Sequence, residues 1–310
     1  MTKENITKEE IMISPVVLFV YNRPIHTQRT VEALSKNILA DESDLYIFSD
    51  GARKSVDIDS VNKVRNYLKT IKGFRSVKVF ESHENNGLSK AIINGVNTIL
   101  SQAESIIVLE DDLITSPYFL SFMNQALTLY RDDRKVVCIN AYMYPVGVDM
   151  PQSFFIRGAD CQGWATWRRG WQTFNPNGKL LLNELRKRKL VRDFDYNNSY
   201  AFSRMLSHQS KGLVESWAIR WYASAFLKDK LTLYPGKSLI KNIGFDNTGV
   251  NSSDWDKKRY NTDVSLDEIK LIRIESKENE IARKVIGNYF LKTQKPILLK
   301  IKHKLLSFFK

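Results

Sequence analysis

Disulfide chemistry is the first thing this chain lacks. Its 310 residues include two cysteines, Cys138 and Cys161. That is too few for a disulfide framework, and no histidine stands near either at metal-ligand spacing. The four histidines, His26, His83, His208 and His303, have no mutual spacing that would build a site. Long apolar runs are also missing. Nothing approaches the roughly 18 residues that would span a bilayer, and the opening stretch MTKENITKEE is polar and charged. Neither secretion nor membrane insertion is indicated, so reduced thiols in a cytoplasm are expected. No internal repeat or low-complexity stretch occurs, which excludes a repeat architecture.

Acid is what the end of the chain lacks. From Ile281 onward there are eight Lys or Arg and no Asp or Glu, so that a net charge of +13 leaves +5 for the first 280 residues. A surplus gathered in a tail argues against a protein-wide nucleic-acid surface. It suits a local patch that meets anionic lipid or another polyanion. The tail PILLKIKHKLLSFFK would place Ile297, Leu298, Ile301, Leu305, Phe308 and Phe309 on one side of a helix, with Lys300, Lys304 and Lys310 on the other. That is the make-up of an interfacial helix; a terminal helix docked on the rest of the chain is the alternative.

What is present is an ordinary core, 43% apolar, enough for one large α/β domain or two smaller ones. PVVLFVY (15–21) is a continuous apolar run of the kind a doubly covered parallel strand shows. Helix and strand patterns then alternate: HTQRTVEALSKNI, DLYIFSDG, DIDSVNKVRNYLKTI, SVKVFES, GLSKAIINGVNTILSQ, SIIVLEDD. Strands alternating with helices imply right-handed crossovers and a mainly parallel sheet flanked by helices. Ligands sit at the carboxyl ends of such strands. Asn22 and Arg23, Asp50 and Gly51, and Glu110 to Asp112 would therefore converge on one edge. After Ser116 the helices lengthen and connections become irregular, with KVVCIN and SFFIRG as further strands.

Three consecutive acids, Glu110, Asp111 and Asp112, follow the strand SIIVL. Like charges this close raise one another's pKa unless a cation or several donors share the site. Something positive belongs there. Carboxylates spaced E-x-D at a strand-to-turn junction can chelate a hard divalent cation, and Mg²⁺ or Mn²⁺ is the natural candidate. A solvated acidic turn capping the next helix is the bland alternative.

The surrounding stretch ENNGLSKAIINGVNTILSQAESIIVLEDD carries a resemblance. Asn85, Gly87, Ala91, Asn94 and Gly95 match the helix that precedes the D-x-D metal motif in family-2-like GT-A glycosyltransferases. Glu110 in place of the first Asp is similar to the β-1,2-N-acetylglucosaminyltransferase I-like branch. The resemblance spans roughly residues 14 to 250 and is strongest before Leu113. It implies a GT-A (Rossmann-like) single domain over 12–265, with a nucleotide-sugar half (12–115), an acceptor half (116–265) and a basic helical extension (266–310). It further implies a metal-dependent, inverting transfer of sugar from a nucleotide sugar, with UDP-sugar the favoured donor. The acceptor would be a glycan or lipid-linked molecule of cell-surface polysaccharide synthesis, met at the inner face of the cell membrane. The enzyme would be a peripheral one that binds no nucleic acid.

On that resemblance Asp50 would accept the base N–H, Tyr21 and Arg23 would contact base and diphosphate, and Lys90 would offset diphosphate charge. Glu110 would face the ribose, Asp111 would lie beside sugar or metal, and Asp112 would bind the metal. Ordinary surface charge is the alternative for Arg23 and Lys90. Glu215, in GLVESWAIRWYASAF, is the candidate general base; a Glu stabilised by a helix N-terminus is the alternative. Asp160 and Asp246 are next in line. Trp164, Trp167 and Trp171 fall on one helical face if CQGWATWRRGW is a helix. Core packing suits most of them, while Gly163 and Trp164 are candidate donor contacts. NIGFDNTGVNS (242–252) resembles the glycine-rich loop that closes over the diphosphate, with Asn251 where relatives carry His. A sugar-phosphate nucleotidyltransferase would have a Gly-rich, Arg-Lys-containing loop after the first strand, and VYNRPIHT has none. A non-catalytic polyanion- or membrane-binding protein is the rival from another class.

Overall fold

The run Val16–Val20 is buried at every position, and its side chains divide with strand period. Val16, Leu18 and Val20 enter one apolar cluster, and Val17 and Phe19 enter a second on the opposite face. A strand buried on both faces needs helices on both, and the chain supplies them. The computed structural model describes residues 11–246 and 259–294. In it, β1 (Val16–Val20), α1 (Pro24–Leu34), β2 (Asp44–Ser49), α2 (Ile58–Leu68), β3 (Ser76–Glu81), α3 (Leu88–Leu100) and β4 (Ser105–Glu110) follow the expected alternation. A short β5 (Leu113–Thr115), then α4 (Phe119–Leu129), β6 (Val136–Asn140), β7 (Ser153–Arg157), β8 (Trp164–Trp167) and α5 (Arg168–Trp171) come next. The chain continues through α6 (Gly178–Lys187), α7 (Val191–Phe194), α8 (Phe202–Ser210), α9 (Trp217–Leu227), β9 (Leu231–Pro235), β10 (Ile240–Asn242) and α10 (Glu280–Lys292).

The central sheet has eight strands in the order β3-β2-β1-β4-β8-β6-β9-β7. Only β8 and β7 oppose the rest, so six of the eight point the same way. This is the expected Rossmann-like α/β architecture in a single domain with a mainly parallel sheet. Helices α1, α2 and α4 cover one face; α3 and α9 cover the other. The helix α3 lies so close to β1 that a β-carbon on Gly95 would come within 2.6 Å of the Phe19 ring. Only glycine fits that contact.

One expectation is corrected. The tryptophan stretch is a strand, β8, inserted antiparallel between β4 and β6, followed by one helical turn. A separation of three along a strand puts Trp164 and Trp167 on opposite faces. Trp164 and Trp171 join Trp217 and Trp221, and Trp167 packs on the other side. Residues 266–294 pack on the domain. Ile269 is buried, Arg273 donates to the Leu129 carbonyl, and the Ile274 N–H donates to Tyr130. In α10, capped by Asn279 at 2.9 Å, Ala282, Ile286 and Phe290 complete a third cluster with α6, α8 and α9. Arg283, counted above as tail charge, is buried between Asp193 (2.9 Å) and Glu278 (3.1 Å). The apolar and basic stretch from 295 to 310 lies outside the described residues, as does Asn251. Among the described residues no helix is long and apolar enough to cross a membrane.

Candidate active site

The parallel register places Phe19 of β1 opposite Glu110 of β4. Both strands end at the same level, and the residues after them meet across the edge. Arg23 lies there, and its Nη2 donates to Asp111 and, at 3.0 Å, to Asp112 Oδ2. The positive group that the acid triplet calls for is thus supplied in part by the chain itself. Asp111 is 4% exposed and also accepts from the Tyr21 N–H at 3.4 Å, while its carbonyl takes the Thr30 hydroxyl at 2.9 Å. One guanidinium does not neutralise three carboxylates. Burial, then repulsion from Asp112 and Asp111, pushes the Glu110 carboxyl up to about 8. Burial pushes Asp111 up to about 6 against the pull of Arg23. Arg23 is held above its ordinary value: burial opposes its charge, and the two Asp carboxylates outweigh burial.

A second ribbon closes the site from the side. β5 pairs antiparallel with β10, Leu113 opposite Asn242, and the Ile243 N–H donates to the Asp112 carbonyl at 2.8 Å. That bond draws the following glycine onto the acid: a β-carbon on Gly244 would overlap Asp112 Oδ2 and crowd Arg23. Among the described residues nothing donates to Asp112 Oδ1, which leaves that oxygen open to a ligand.

On the other flank Asp50, just past the end of β2, is 8% exposed. Its carboxylate accepts from the backbone N–H groups of Gly51 (3.0 Å), Asn86 (2.8 Å) and Gly87 (3.0 Å). It staples the start of α3 to the sheet edge. Asn85 adds a bond to the Gly51 carbonyl at 2.8 Å. Tyr21 donates to Asp57 at 3.0 Å and accepts from the Arg53 N–H at 2.9 Å, and Asn22 donates to the other Asp57 oxygen at 3.0 Å. Between these groups lies a cavity of about 380 Å³. Tyr21, Arg23, Asp50, Glu110, Asp111 and Asp112 all line it, together with Phe19, Phe48, Arg53, Asn85, Gly87, Gly244 and Phe245.

The other candidates fall elsewhere. Lys90 is exposed on α3 and does not line the cavity. Trp164 is 1% exposed, its indole covered by Trp171, Trp217 and Trp221 with centroids 5.7, 5.3 and 6.1 Å away. It has no face left for a sugar. Gly163 is packed against Ile240 and Ala141. Asp160 is tied to the Tyr234 hydroxyl at 2.7 Å and the Cys161 N–H at 2.6 Å, and burial raises its pKa against those bonds. Asp246 pairs with His26 at 3.0 Å. Glu215 is exposed on the loop before α9, where Ser216 caps the helix, and its carboxylate reaches the rim beside Gly87, 3.5 Å from where a β-carbon would stand.

Sequence reading missed Asp57, Arg53 and the Phe19/Phe48 wall, whose rings stack at 5.4 Å. Strand alternation marks Phe19 and Phe48 as sheet residues but not as cavity lining. Asp57 carried only a helix-start signal, and nothing local links it to Tyr21.

The donor set bears on a metal. Among the described residues no group of three or more His, Cys, Asp or Glu is arranged to hold an ion by itself. Mg²⁺-type sites commonly use one or two carboxylates and complete their shell with substrate phosphates and water. The open oxygen of Asp112, in a cluster with more negative than positive charge, fits that mode.

Fold and site together define a Rossmann-like α/β protein with an acidic ligand cavity at the carboxyl edge of its sheet. No family model matches the chain. Among solved structures, a mannosyltransferase from Pyrobaculum calidifontis, in complex with GDP-Man and Mn2+, is 12% identical with a TM-score of 0.33, over 47% of this chain and 40% of that one. S. aureus TarS is 15% identical with a TM-score of 0.40, over 74% of this chain and 36% of that one. The present chain therefore matches less than half the length of either. A mannose-1-phosphate geranyltransferase from Thermus thermophilus is 12% identical with a TM-score of 0.32, over 72% of this chain and 74% of that one.

Proposed function

We propose that the protein is a metal-dependent, inverting glycosyltransferase that moves a sugar from a nucleotide sugar, with UDP-sugar the favoured donor, to a glycan or lipid-linked acceptor. The observation that carries the reading is the acid triplet at the end of β4, partly neutralised by Arg23 and opening onto a 380 Å³ cavity through Asp112. In this reading Asp112 holds Mn²⁺ or Mg²⁺, which when bound offsets charge on the diphosphate leaving group. Arg23 adds a second cation at the same place. Asp50 orients the base while stapling the 85–87 loop, Tyr21 sets the position of the 53–57 loop, and Glu110 faces the ribose. Glu215, at the rim, accepts the proton of the acceptor hydroxyl. Such chemistry releases a nucleoside diphosphate. The test is to incubate the protein with a panel of nucleotide sugars and Mn²⁺ and identify the product: UDP release that stops in EDTA supports the reading. Release of pyrophosphate from a nucleoside triphosphate and a sugar phosphate would assign the cavity to a nucleotidyltransferase instead.

A further inference from the structure

The net charge of the chain has a second concentration, unconnected to its terminus. Residues 179 to 211 contain eight Lys or Arg and three acids, and this surplus of five accounts for the whole excess of the first 280 residues. The fold collects part of it around one cleft. Helices α6 and α8 pack through Leu181, Leu185 and Leu206, and above that contact lies a cavity of about 250 Å³ whose lining includes Leu182, Arg186, Arg204, Ser207, His208 and Lys211.

No acid lines this cleft. Of the three acids in the segment, Glu184 on α6 does not line the cleft, Asp193 is bound to Arg157 and Arg283, and Asp195 accepts both the N–H and the hydroxyl of Ser203 at 2.7 and 2.6 Å. Arg204 acts on Asp195 through space, without a contact. Among the described residues Arg186, Arg204 and Lys211 are in no ion pair, and all three are exposed. Helix-dipole stabilisation accounts for Arg186 in the last turn of α6. It does not account for Arg204, which sits in the first turn of α8, the end where a cation is unfavourable. Three such cations and a hydroxyl converging on a small concave site are the chemistry that recognises a phosphoryl group.

The position ties the cleft to the other site. Lys211 and Glu215 are four residues apart, a span of at most about 14 Å of chain, and Glu215 stands at the rim of the donor cavity beside Gly87. Resting on the glycosyltransferase reading, the geometry points to a phosphate-bearing acceptor, whose phosphoryl group is held between Arg186, Arg204 and Lys211 while its hydroxyl faces Glu215. The 250 Å³ cleft is smaller than the 380 Å³ donor cavity, and it takes a phosphoryl group with its adjoining unit.

Glycerol 3-phosphate is the probe, titrated by calorimetry into the full chain, with UDP and Mn²⁺ titrated separately. The wild type binds glycerol 3-phosphate, more weakly as salt rises. Arg204→Ala and Lys211→Ala each weaken it about tenfold, and UDP affinity stays at the wild-type value. Absence of binding by the wild type, or equal binding by wild type and the double variant, overturns the inference. Flotation with phosphatidylglycerol vesicles separates the other source of phosphate. If the two substitutions abolish flotation while soluble glycerol 3-phosphate does not bind, the cations belong under a membrane and the acceptor assignment falls. Failure of UDP binding alone would count against the donor-site reading and leave the cleft as a phosphate site.

Discussion

Replacing Arg23 with Ala should change both the stability of the protein and the way that stability depends on pH. Arg23 donates to two carboxylates, its own side chain is 18% exposed, and those of Asp111 and Asp112 are 6% and 15% exposed. Removing one partner of a largely buried pair costs about 3–5 kcal/mol, because the remaining charge is left uncompensated. The pH term follows from the two raised carboxyls. Glu110, pushed up from 4.5 to about 8, and Asp111, pushed up from 3.8 to about 6, bind more protons in the folded than in the unfolded chain across those intervals. Their contribution is fully present below the unfolded values and is lost as pH rises through the folded ones. Allowing for the partial exposure of Glu110, the loss between pH 4.5 and 8 is on the order of 2–4 kcal/mol in the metal-free wild type. Without Arg23 the carboxyls rise further, so the slope steepens. Urea denaturation of both proteins in EDTA across this range measures the two slopes directly. Adding Mn²⁺ at the alkaline end should stabilise Arg23→Ala more than the wild type, since the ion then meets an uncompensated cluster. Equal slopes in the two proteins, or a stability that rises with pH in the wild type, would refute the reasoning.

Asp112→Asn should keep the wild-type melting temperature within a few degrees and lose Mn²⁺-dependent UDP binding in calorimetry; donor turnover that persists in EDTA would remove the metal from the proposal. Glu215→Gln should lower sugar transfer by about 10²–10⁴-fold with UDP affinity retained, and near wild-type transfer would place the base elsewhere. Phe290→Ala, at a side chain 2% exposed in the third cluster, should cost about 3–5 kcal/mol in a denaturant titration. Truncation after Gln294 should leave that titration unchanged and abolish flotation with anionic vesicles, whereas truncation after Glu280 should unfold the protein; equal flotation of the full-length chain and the one ending at Gln294 would sink the role given to the tail.

The alternation of strand and helix up to Glu110 was legible because its signals are local. Side chains two apart on a strand and three or four apart on a helix report burial within one element. The same logic located Asp50 and the acid triplet, since polar residues that end parallel strands share an edge whatever the rest of the fold. The motif glycine at 95 also had a local mark, and its reason emerged in the 2.6 Å approach to Phe19.

Where the sequence misled, the deciding contact was long-range. WATW reads as part of a helix by tryptophan spacing, yet it became a strand because β4 and β6 each offered it an edge. Arg23 and Asp111 are 88 residues apart, and Tyr21 and Asp57 are 36 apart. Both pairings are set by sheet register, which no local pattern encodes. Arg283 shows the same for charge: one of eight cations in an acid-free stretch, it is buried against Asp193, 90 residues away. Up to Glu110 the amino-acid order by itself determined which segments are strands of a covered sheet and which carboxylates stand at their ends, because those follow from the periodicity of neighbouring side chains. Tertiary structure alone decided which cation meets which acid, because burial, pairing and charge compensation depend on groups that the chain brings together only once it has folded.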